Sequence, residues 1–544
     1  MPSEPLAAQR QTAHLRRIFR ALRPSHQHSA FSATVLLMSA VMASRVIGYV
    51  REAYIAYAFG AGFETDAYVA AFTLPDWLNY IVAGGTASIT FVSIFTRYLS
   101  QKREAEAQKT FSVIITVMTT VLTAGVLLTE VFTPQIERLL FPKFTPAQLD
   151  LCVSLTRYLL PAQIFFYVGG VVSAVLLSRR LFLIPALAPL LYNVFIILGG
   201  VLLGSRMGIA SLALGALAGS IVGPFLVNAI GAARTGIRYR INFDIGDPAF
   251  REWVRLSIPL MLGVSLATAD DWILRYFASG GIGDITRLNY AKRLMAVPIA
   301  VLGQATGQAS LPFFARLWGE GKLREFADTV NASVYRLAAA SILASAWMMA
   351  VALPLLDLVY RRGRFQFSDS RETAIFFFWF SISLALWSAQ ALYSRAFYAA
   401  GNTVTPMIAA TVVTAASLPV YAALFHNFAA TGLAIASDIG IAANTAVLAI
   451  LLHRRKLVSL GGFPWAETAK ITATAIFAGG LAWRVATLVP LSGHHLQNLQ
   501  ALGLGSVTWA AATALGLFIT RSRLLADLRR RGDSQTPVSE TPAS

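Results

Sequence analysis

Charged side chains stand inside long apolar stretches of this chain, and they are the residues best suited to chemistry. Arg45, Arg51 and Glu52 lie on the first apolar stretch, and Asp66 opens the second. A charge at the centre of a membrane helix costs about 2.5–3.5 kcal/mol on insertion scales. A chain that carries several is therefore predicted to use them along a polar path through the bilayer, and transport of a charged solute is the first functional hypothesis.

The arginines suit a pyrophosphate or carboxylate ligand, because guanidinium is always charged and binds such groups in a bidentate fork. At about 100° per helical residue, Arg45 and Glu52 share a face, whereas Arg51 points about 120° away. Arg51 therefore has an alternative role, in which it snorkels to the interface or pairs locally with Glu52. Asp66 also has an alternative role, in which its negative charge stabilises the N-terminus of a helix.

A second group of charges lies in the middle of the chain. ATADDWILRYF contains Asp270, Asp271 and Arg275, and YAKRLMAVP contains Lys292 and Arg293. Carboxylates on an apolar span are candidates for a coupling site that binds a proton or a cation. The alternative is a structural ion pair with Arg275, four or five residues further on. Of Lys292 and Arg293, the arginine is predicted to face the polar cavity through which the solute would pass.

Composition indicates the elements that position these charges. The 544 residues are 56% hydrophobic and 13% charged, whereas soluble domains are about 25% charged. Fourteen stretches are long enough, or nearly so, to span about 30 Å of hydrocarbon. The sequence thus predicts an all-α polytopic membrane protein with about fourteen transmembrane helices, at 33–57, 66–96, 110–133, 155–178, 183–204, 208–231, 255–278, 287–315, 332–357, 373–399, 405–426, 430–452, 468–488 and 500–520.

The basic excess, 45 Lys and Arg against 27 Asp and Glu, is typical of the positive-inside rule rather than of nucleic-acid binding. Basic residues concentrate in the two tails and in the even-numbered connections, which predicts that both termini are cytoplasmic. YRRGRFQF is an exception, since it places Arg361, Arg362 and Arg364 on the predicted outer side.

A polar segment, RTGIRYRINFDIGDPAFREWVR, separates the first six spans from the others, and an amphipathic surface helix is one interpretation of it. FGAGFETD at 59–66 also resembles FASGGIGD at 277–284, which suggests two related bundles. The predicted division is a basic cytoplasmic tail at 1–30, a six-helix lobe at 31–232, a cytoplasmic amphipathic linker at 233–254, a second six-helix lobe at 255–456, two further helices at 457–521 and a cytoplasmic tail at 522–544.

The chain offers no catalytic set, metal-ligand spacing or Walker P-loop, and Cys152 is its only cysteine. The first 30 residues do not predict a secretory signal peptide. We therefore expect a transporter that has no cofactor or bound metal and is driven by membrane potential or a cation gradient.

Three blocks of sequence resemble the MurJ/MviN family of lipid II flippases. They are SRVIGYVREAYIAYAFGAGFETDAYVAAFTLPDWLNYIVAGG, RRLFLIPALAPLLYNVFIILG and NYAKRLMAVPIAVLGQATGQASLPFFARL. The resemblance implies the multidrug/oligosaccharidyl-lipid/polysaccharide (MOP) exporter fold, with two six-helix lobes in a V. It also implies that two C-terminal helices form a groove for a polyprenyl tail. The substrate-binding residues that it implies are Arg45, Arg51, Asp66 and Arg293.

The chain departs from the family pattern at four positions. Asn79 and Tyr80 stand where arginines are frequent, Gly84 stands where Glu is frequent, and Lys292 replaces an acidic residue. The resemblance implies an inner-membrane flippase that moves a polyprenyl-pyrophosphate-linked sugar outward by alternating access, with lipid II as the first candidate. The alternatives are a flippase for another lipid-linked glycan and a cation-coupled multidrug exporter. The oligomeric state is not determined by the sequence, and a monomer is the expectation.

Overall fold

The computed structural model describes residues 30–80, 85–262, 266–491 and 495–524, and every regular element in them is helical. The first ten helices are α1 (Ala30–Phe59), α2 (Phe63–Ala71), α3 (Thr73–Leu78), α4 (Gly85–Ser100), α5 (Glu104–Leu140), α6 (Pro146–Leu159), α7 (Ala162–Ser178), α8 (Leu183–Met207), α9 (Ala210–Ser220) and α10 (Asn228–Ala233). The remaining helices are α11 (Pro248–Leu262), α12 (Leu266–Ala278), α13 (Asp284–Pro298), α14 (Thr306–Gly319), α15 (Leu323–Ala350), α16 (Ala352–Tyr360), α17 (Phe367–Ile382), α18 (Leu384–Ala399), α19 (Val404–Arg454), α20 (Trp465–Ala486) and α21 (His495–Ile519).

The helices confirm the prediction of an all-α, multi-pass membrane protein. Within the described residues, eight helices are long and apolar enough to cross a membrane, or nine if the bent pair α17 and α18 is one span. α19 is 51 residues long and contains non-helical backbone at Ala429, so it holds two of the predicted spans. Several other predicted spans are divided into shorter helices, and a count of about fourteen is compatible with this arrangement.

Proline and glycine account for several helix breaks. The second predicted span consists of α2, α3 and α4, with Pro75 inside α3, as its Pro and Gly content leads one to expect. Gly84 lies outside the described residues. π-helical segments occur at Ile221–Val227, around Pro224, and at Ile299–Ala305, just after Pro298. Proline removes a backbone donor, so a wider helical turn can form beside it.

Contacts between helices divide the chain into two compact units. The first comprises 1–54, 70–140 and 145–262, and the second comprises 55–69, 141–144 and 263–544. The first core is built on buried aromatic residues that include Phe91, Phe111 and Trp253. The second includes Phe326 and Phe397. The contacts group α11 with the first unit, whereas the sequence-based division begins the second lobe at residue 255.

Residues 237–244, between α10 and α11, have no regular secondary structure, so the helix that was one interpretation of this segment is present only from Pro248 onward, in α11. In IRYRINFDI at 237–245, apolar and polar residues alternate with a period of two, which does not favour a helix. The backbone amides of Arg240 and Asn242 donate to the hydroxyls of Ser112 and Thr116 on α5, each over 3.2 Å. We call residues 237–244 the strap.

The basic loop on the predicted outer side has acidic and aromatic partners within the second unit. Arg361 lies 3.1 Å from the buried carboxylate of Asp357 and 4.9 Å from the centre of the Phe367 ring. Arg364 lies 3.9 Å from the carboxylate of Glu64. These pairings account for two of the three arginines that are exceptions to the positive-inside rule.

Candidate functional site

In the first unit, Arg51 lies at the centre of a polar cluster. Its guanidinium donates to the side-chain oxygen of Asn193 on α8 over 2.8 Å and pairs with the neighbouring Glu52. Only 14% of the Arg51 side chain and 6% of the Glu52 side chain are exposed. The structure therefore favours the local pair for Arg51. Asn193 belongs to the second family-like sequence block, so this contact joins two of the three blocks.

Close packing of α1 on α8 supports this cluster. A Cβ atom at Gly200 would lie 2.5 Å from the ring of Tyr54. Real Cβ contacts are not this short, so a larger residue at position 200 would require the Tyr54 ring to move. The Asn193 side chain is also held from its own helix, because its amide donates to the carbonyl of Pro189 over 3.0 Å. Arg51 thus meets an acceptor whose orientation is fixed.

Arg45 and Arg293 are placed differently, since both side chains are exposed. Arg45 lies on α1, and among the described residues no hydrogen bond or ion pair to its guanidinium is found. Arg293 lies on α13, and its charge interacts with that of Asp271. Both residues therefore present exposed surface within their own unit. Their predicted meeting in one cavity stays a prediction.

The structure places Asp66 in a fully buried position at the N-terminus of α13. Its carboxylate accepts hydrogen bonds from the backbone amide of Gly283 over 2.5 Å and from that of Thr286 over 2.8 Å. The Thr286 hydroxyl donates to it as well, over 2.7 Å. The first amides of a helix lack partners within the helix, and a carboxylate satisfies them well. Asp66 thus acts as a cap on a helix that begins more than 200 residues further along the chain.

Asp270 and Asp271 on α12 belong to a second polar cluster. The Lys292 ammonium, on α13, lies 2.5 Å from a carboxylate oxygen of each aspartate. Asp270 is 2% exposed and also accepts hydrogen bonds from the hydroxyls of Tyr421 and Ser437 on α19. Sequence reasoning offered Arg275 as the structural partner. The structure places Lys292 between the two carboxylates, and the charge of Arg275 also stabilises that of Asp271.

The departures from the family pattern have partners of their own where the structure describes them. The Asn79 amide donates to the Gln163 side chain on α7 over 2.8 Å. Lys292 replaces an acidic residue and neutralises the aspartates instead. A neutral amide and a lysine thus occupy positions where family members frequently carry an arginine and an acid.

An apolar groove of about 620 Å³ opens on the second unit. Its walls come from α15, α17 and α20 and include Met349, Phe378, Ile476 and Trp483. The resemblance implied a tail-binding groove built by the last two helices. The groove observed here takes one wall from α20 and the others from α15 and α17.

Sequence reasoning missed the residues that complete these clusters. Asn193 had a signal, because it is a polar residue in an otherwise apolar span and part of a family-like block. Tyr421 and Ser437 gave no signal, because they are 151 and 167 residues away from Asp270 along the chain. Lys292 was noticed, but it was set aside in favour of Arg293.

The fold resembles solved transporters along most of its length. The lipid II flippase MurJ in an inward closed conformation matches with a TM-score of 0.75 at 22% identity, covering 89% of this chain and 99% of that one. An inward-facing multidrug resistance MATE transporter of the MOP superfamily matches with a TM-score of 0.62 at 15% identity, covering 78% and 98%. The protein is therefore a multi-pass membrane protein with the fold of MOP-superfamily transporters.

Sequence relatives narrow this class to one family. The family model described as lipid II flippase MurJ matches residues 55–498, and the chain belongs to this family. A lipid II flippase MurJ from Burkholderia cenocepacia is 26% identical over 522 residues, covering 92% of this chain and 99% of the relative. A probable lipid II flippase MurJ from Rhizobium tropici is 26% identical over 493 residues, covering 88% and 90%.

Proposed function

We propose that this protein is a flippase that moves lipid II from the cytoplasmic to the outer leaflet of the bacterial inner membrane. The observation that carries the proposal is the family match across residues 55–498, in a chain that covers 99% of a relative named lipid II flippase. Within this function the protein is a transporter rather than an enzyme, and its partner is an anionic, lipid-linked glycan.

The proposed mechanism uses the exposed guanidinium groups to hold the pyrophosphate. Arg45 and Arg293 are accessible, and guanidinium binds phosphate oxygens in a bidentate fork. Arg51, which is held by Glu52 and Asn193, supports helix α1 rather than the ligand. The polyprenyl tail stays in an apolar environment, and the groove beside α20 is a candidate for it.

We propose that membrane potential contributes to the cycle. An anion that moves outward across an inside-negative membrane gains about 2.3 kcal/mol per charge per 100 mV. In this scheme the electrical gradient supplies energy for either the outward stroke or the reset.

A paralogue for another lipid-linked glycan is the second candidate, and a specific observation keeps it open. Asn79 binds Gln163 where the family frequently has arginine, and Lys292 pairs with aspartates where it frequently has an acid. A cation-coupled multidrug exporter is disfavoured, because it would need an acidic cavity, and the two acids seen here already pair with Lys292.

The deciding experiment depletes the resident lipid II flippase in a bacterium and supplies this chain. The amount of lipid II in the outer leaflet is then measured with an enzyme that cleaves it only there. Growth together with outer-leaflet lipid II supports the proposal. A well-expressed, correctly inserted protein that restores neither would favour another lipid-linked glycan.

A further inference from the structure

The acidic cluster on α12 is already occupied by a cation that belongs to the chain. Lys292 Nζ lies 2.5 Å from Asp270 Oδ2 and 2.5 Å from Asp271 Oδ1. The lysine side chain is 21% exposed, so its charge is largely removed from solvent. Taking an ammonium and a carboxylate out of water is costly unless the two charges meet with good geometry. The short distances on both sides show that they meet here.

The rest of the coordination of Asp270 is also filled. Its second oxygen, Oδ1, accepts from the Tyr421 hydroxyl, and Oδ2 accepts from the Ser437 hydroxyl over 2.8 Å in addition to the ammonium. Tyr421 and Ser437 lie on opposite sides of the kink at Ala429 in α19. The aspartate therefore connects three helices, and both of its oxygens are engaged.

Other charged groups near the cluster bring it close to neutrality. Arg275 and Arg293 add positive potential at Asp271. Asp438, the residue after Ser437, is a third carboxylate; its two oxygens are buried with no hydrogen-bond partner among the described residues, and its charge repels that of Asp270. Among the described residues, no group of three or more His, Cys, Asp or Glu side chains could hold a metal ion. At Asp270 and Asp271, a solution cation would therefore have to compete with the Lys292 ammonium, which already contacts both carboxylates.

We infer that Lys292 is a built-in counter-cation, and that the Asp270–Asp271 site takes up no monovalent cation from solution. The site would then hold α12, α13 and α19 together through a permanent positive charge. Its oxygen donors, two carboxylates and two hydroxyls, are of the kind that Na⁺ prefers. Removal of the lysine charge should therefore convert the site into a sodium site. The consequence for transport, which is that flipping needs no Na⁺ at this position, rests on the proposed function.

The test measures thermal unfolding of the purified full-length chain in sodium chloride and in choline chloride at equal ionic strength. We expect the wild type to unfold at the same temperature in both salts. Lys292→Met should unfold at a lower temperature in choline and be stabilised by Na⁺ in a saturable manner. The double variant Lys292→Met, Asp270→Asn should lose the sodium response. If Lys292→Met does not fold in either salt, Lys292→Gln replaces it, since it removes the charge but keeps a hydrogen-bond donor.

Two results would overturn the inference. One is a saturable stabilisation of the wild type by Na⁺, and it would count against the inference whether Asp270→Asn or Asp438→Asn abolished it. The other is a folded charge-removed variant that does not respond to Na⁺. Because the readout is unfolding rather than transport, a protein that fails to flip lipid II would count against the proposed function and leave this test intact.

Discussion

The guanidinium of Arg51 donates to the side-chain oxygen of Asn193 over 2.8 Å, and this contact joins α1 to α8 across 142 residues of sequence. The family resemblance implies a ligand-binding role for Arg51, yet its guanidinium contacts Asn193 and Glu52. Its partner Glu52 is buried as well. Arg51 is therefore largely buried among partners of its own unit, whereas the side chains of Arg45 and Arg293 are exposed.

We predict that Arg51→Ala and Asn193→Ala are each destabilising and are strongly coupled. Side-chain hydrogen bonds within membrane proteins contribute roughly 0.6 kcal/mol on average and up to about 1.7 kcal/mol, and removal of the arginine also leaves Glu52 buried without its pair. Thermal unfolding of the two single variants and the double variant gives the coupling energy. Arg206→Ala combined with Asn193→Ala is the control, because Arg206 lies more than three turns away on α8. Additive effects of Arg51→Ala and Asn193→Ala would contradict the assigned role.

Asp66 offers a test between capping and ligand binding. If it caps α13, Asp66→Ala should reduce the yield of folded protein, since each buried donor left without a partner costs about 1–3 kcal/mol. Asp66→Asn keeps one oxygen acceptor and should be milder. The measurement is the thermal unfolding temperature together with flipping activity per folded molecule. Asp284→Ala is the matched control, because Asp284 is the equivalent residue in the internal repeat and is partly exposed. A fully stable but inactive Asp66→Asn would favour the ligand role.

The strap should depend on the ion pair at its end. Lys109 lies 2.8 Å from Asp244, and its ammonium holds the pKa of that carboxyl below its usual value. A lowered pKa means that the pair is fully formed at neutral pH and is lost as the pH falls through the lowered pKa. Asp244→Asn should therefore speed tryptic cleavage at Arg238 and Arg240 at neutral pH, with little change in global unfolding because the pair is exposed. Asp328→Asn, at another exposed site, should leave the cleavage rate unchanged. Equal rates for Asp244→Asn and the wild type would show that the hydroxyls of α5 hold the strap unaided.

The orientation of the chain is predicted from its basic residues and is tested with reporter fusions. Fusions after Arg103, Arg240 and Arg455 should report the cytoplasm, whereas fusions near Gly62 or His494 should report the periplasm. A periplasmic signal after Arg240 would contradict both the assignment of the strap to the cytoplasmic side and the six-span division before it.

The sequence was sufficient to predict the fold class, because each membrane helix is recognised from a local run of apolar residues. A helix that spans about 30 Å of hydrocarbon needs a long run of apolar residues. Pro75 likewise predicted the break in the second span. The strap was misread for a related reason. The basic and partly apolar composition of this segment suggested an interfacial helix, although apolar and polar residues alternate in IRYRINFDI with a period of two. The backbone amides of the strap donate to the hydroxyls of Ser112 and Thr116 instead of to carbonyls within a helix of their own.

The candidate site was only partly predictable, because its partners come from distant parts of the chain. An aspartate in an apolar span, such as Asp270, indicates that some group must neutralise its charge, but the sequence does not identify that group. Arg275 was the nearest cation along α12, whereas Lys292 reaches the site from the next helix and Tyr421 from α19. Local spacing favours partners within one helix. Tertiary packing adds partners from other helices, and local spacing does not reveal them.

The accessible arginines carry the functional prediction with the greatest weight. A pyrophosphate held by Arg45 and Arg293 should require positive charge and also the planar fork, which lysine lacks. We therefore expect Arg45→Ala and Arg293→Ala each to abolish flipping while the protein remains in the membrane at its normal level. Lysine at either position should restore activity only in part.

The measurement is complementation of a flippase-depleted strain, with the amount of membrane-inserted protein determined in parallel. Arg206→Ala, which removes an exposed arginine at the end of α8, is the matched control and should complement fully. Arg51→Ala should lose activity only as far as it loses folded protein, because its contacts are to Glu52 and Asn193. Normal transport by both Arg45→Ala and Arg293→Ala would show that the anion is held by other residues. The family membership would then describe the fold, and the mechanism proposed for these two side chains would be wrong.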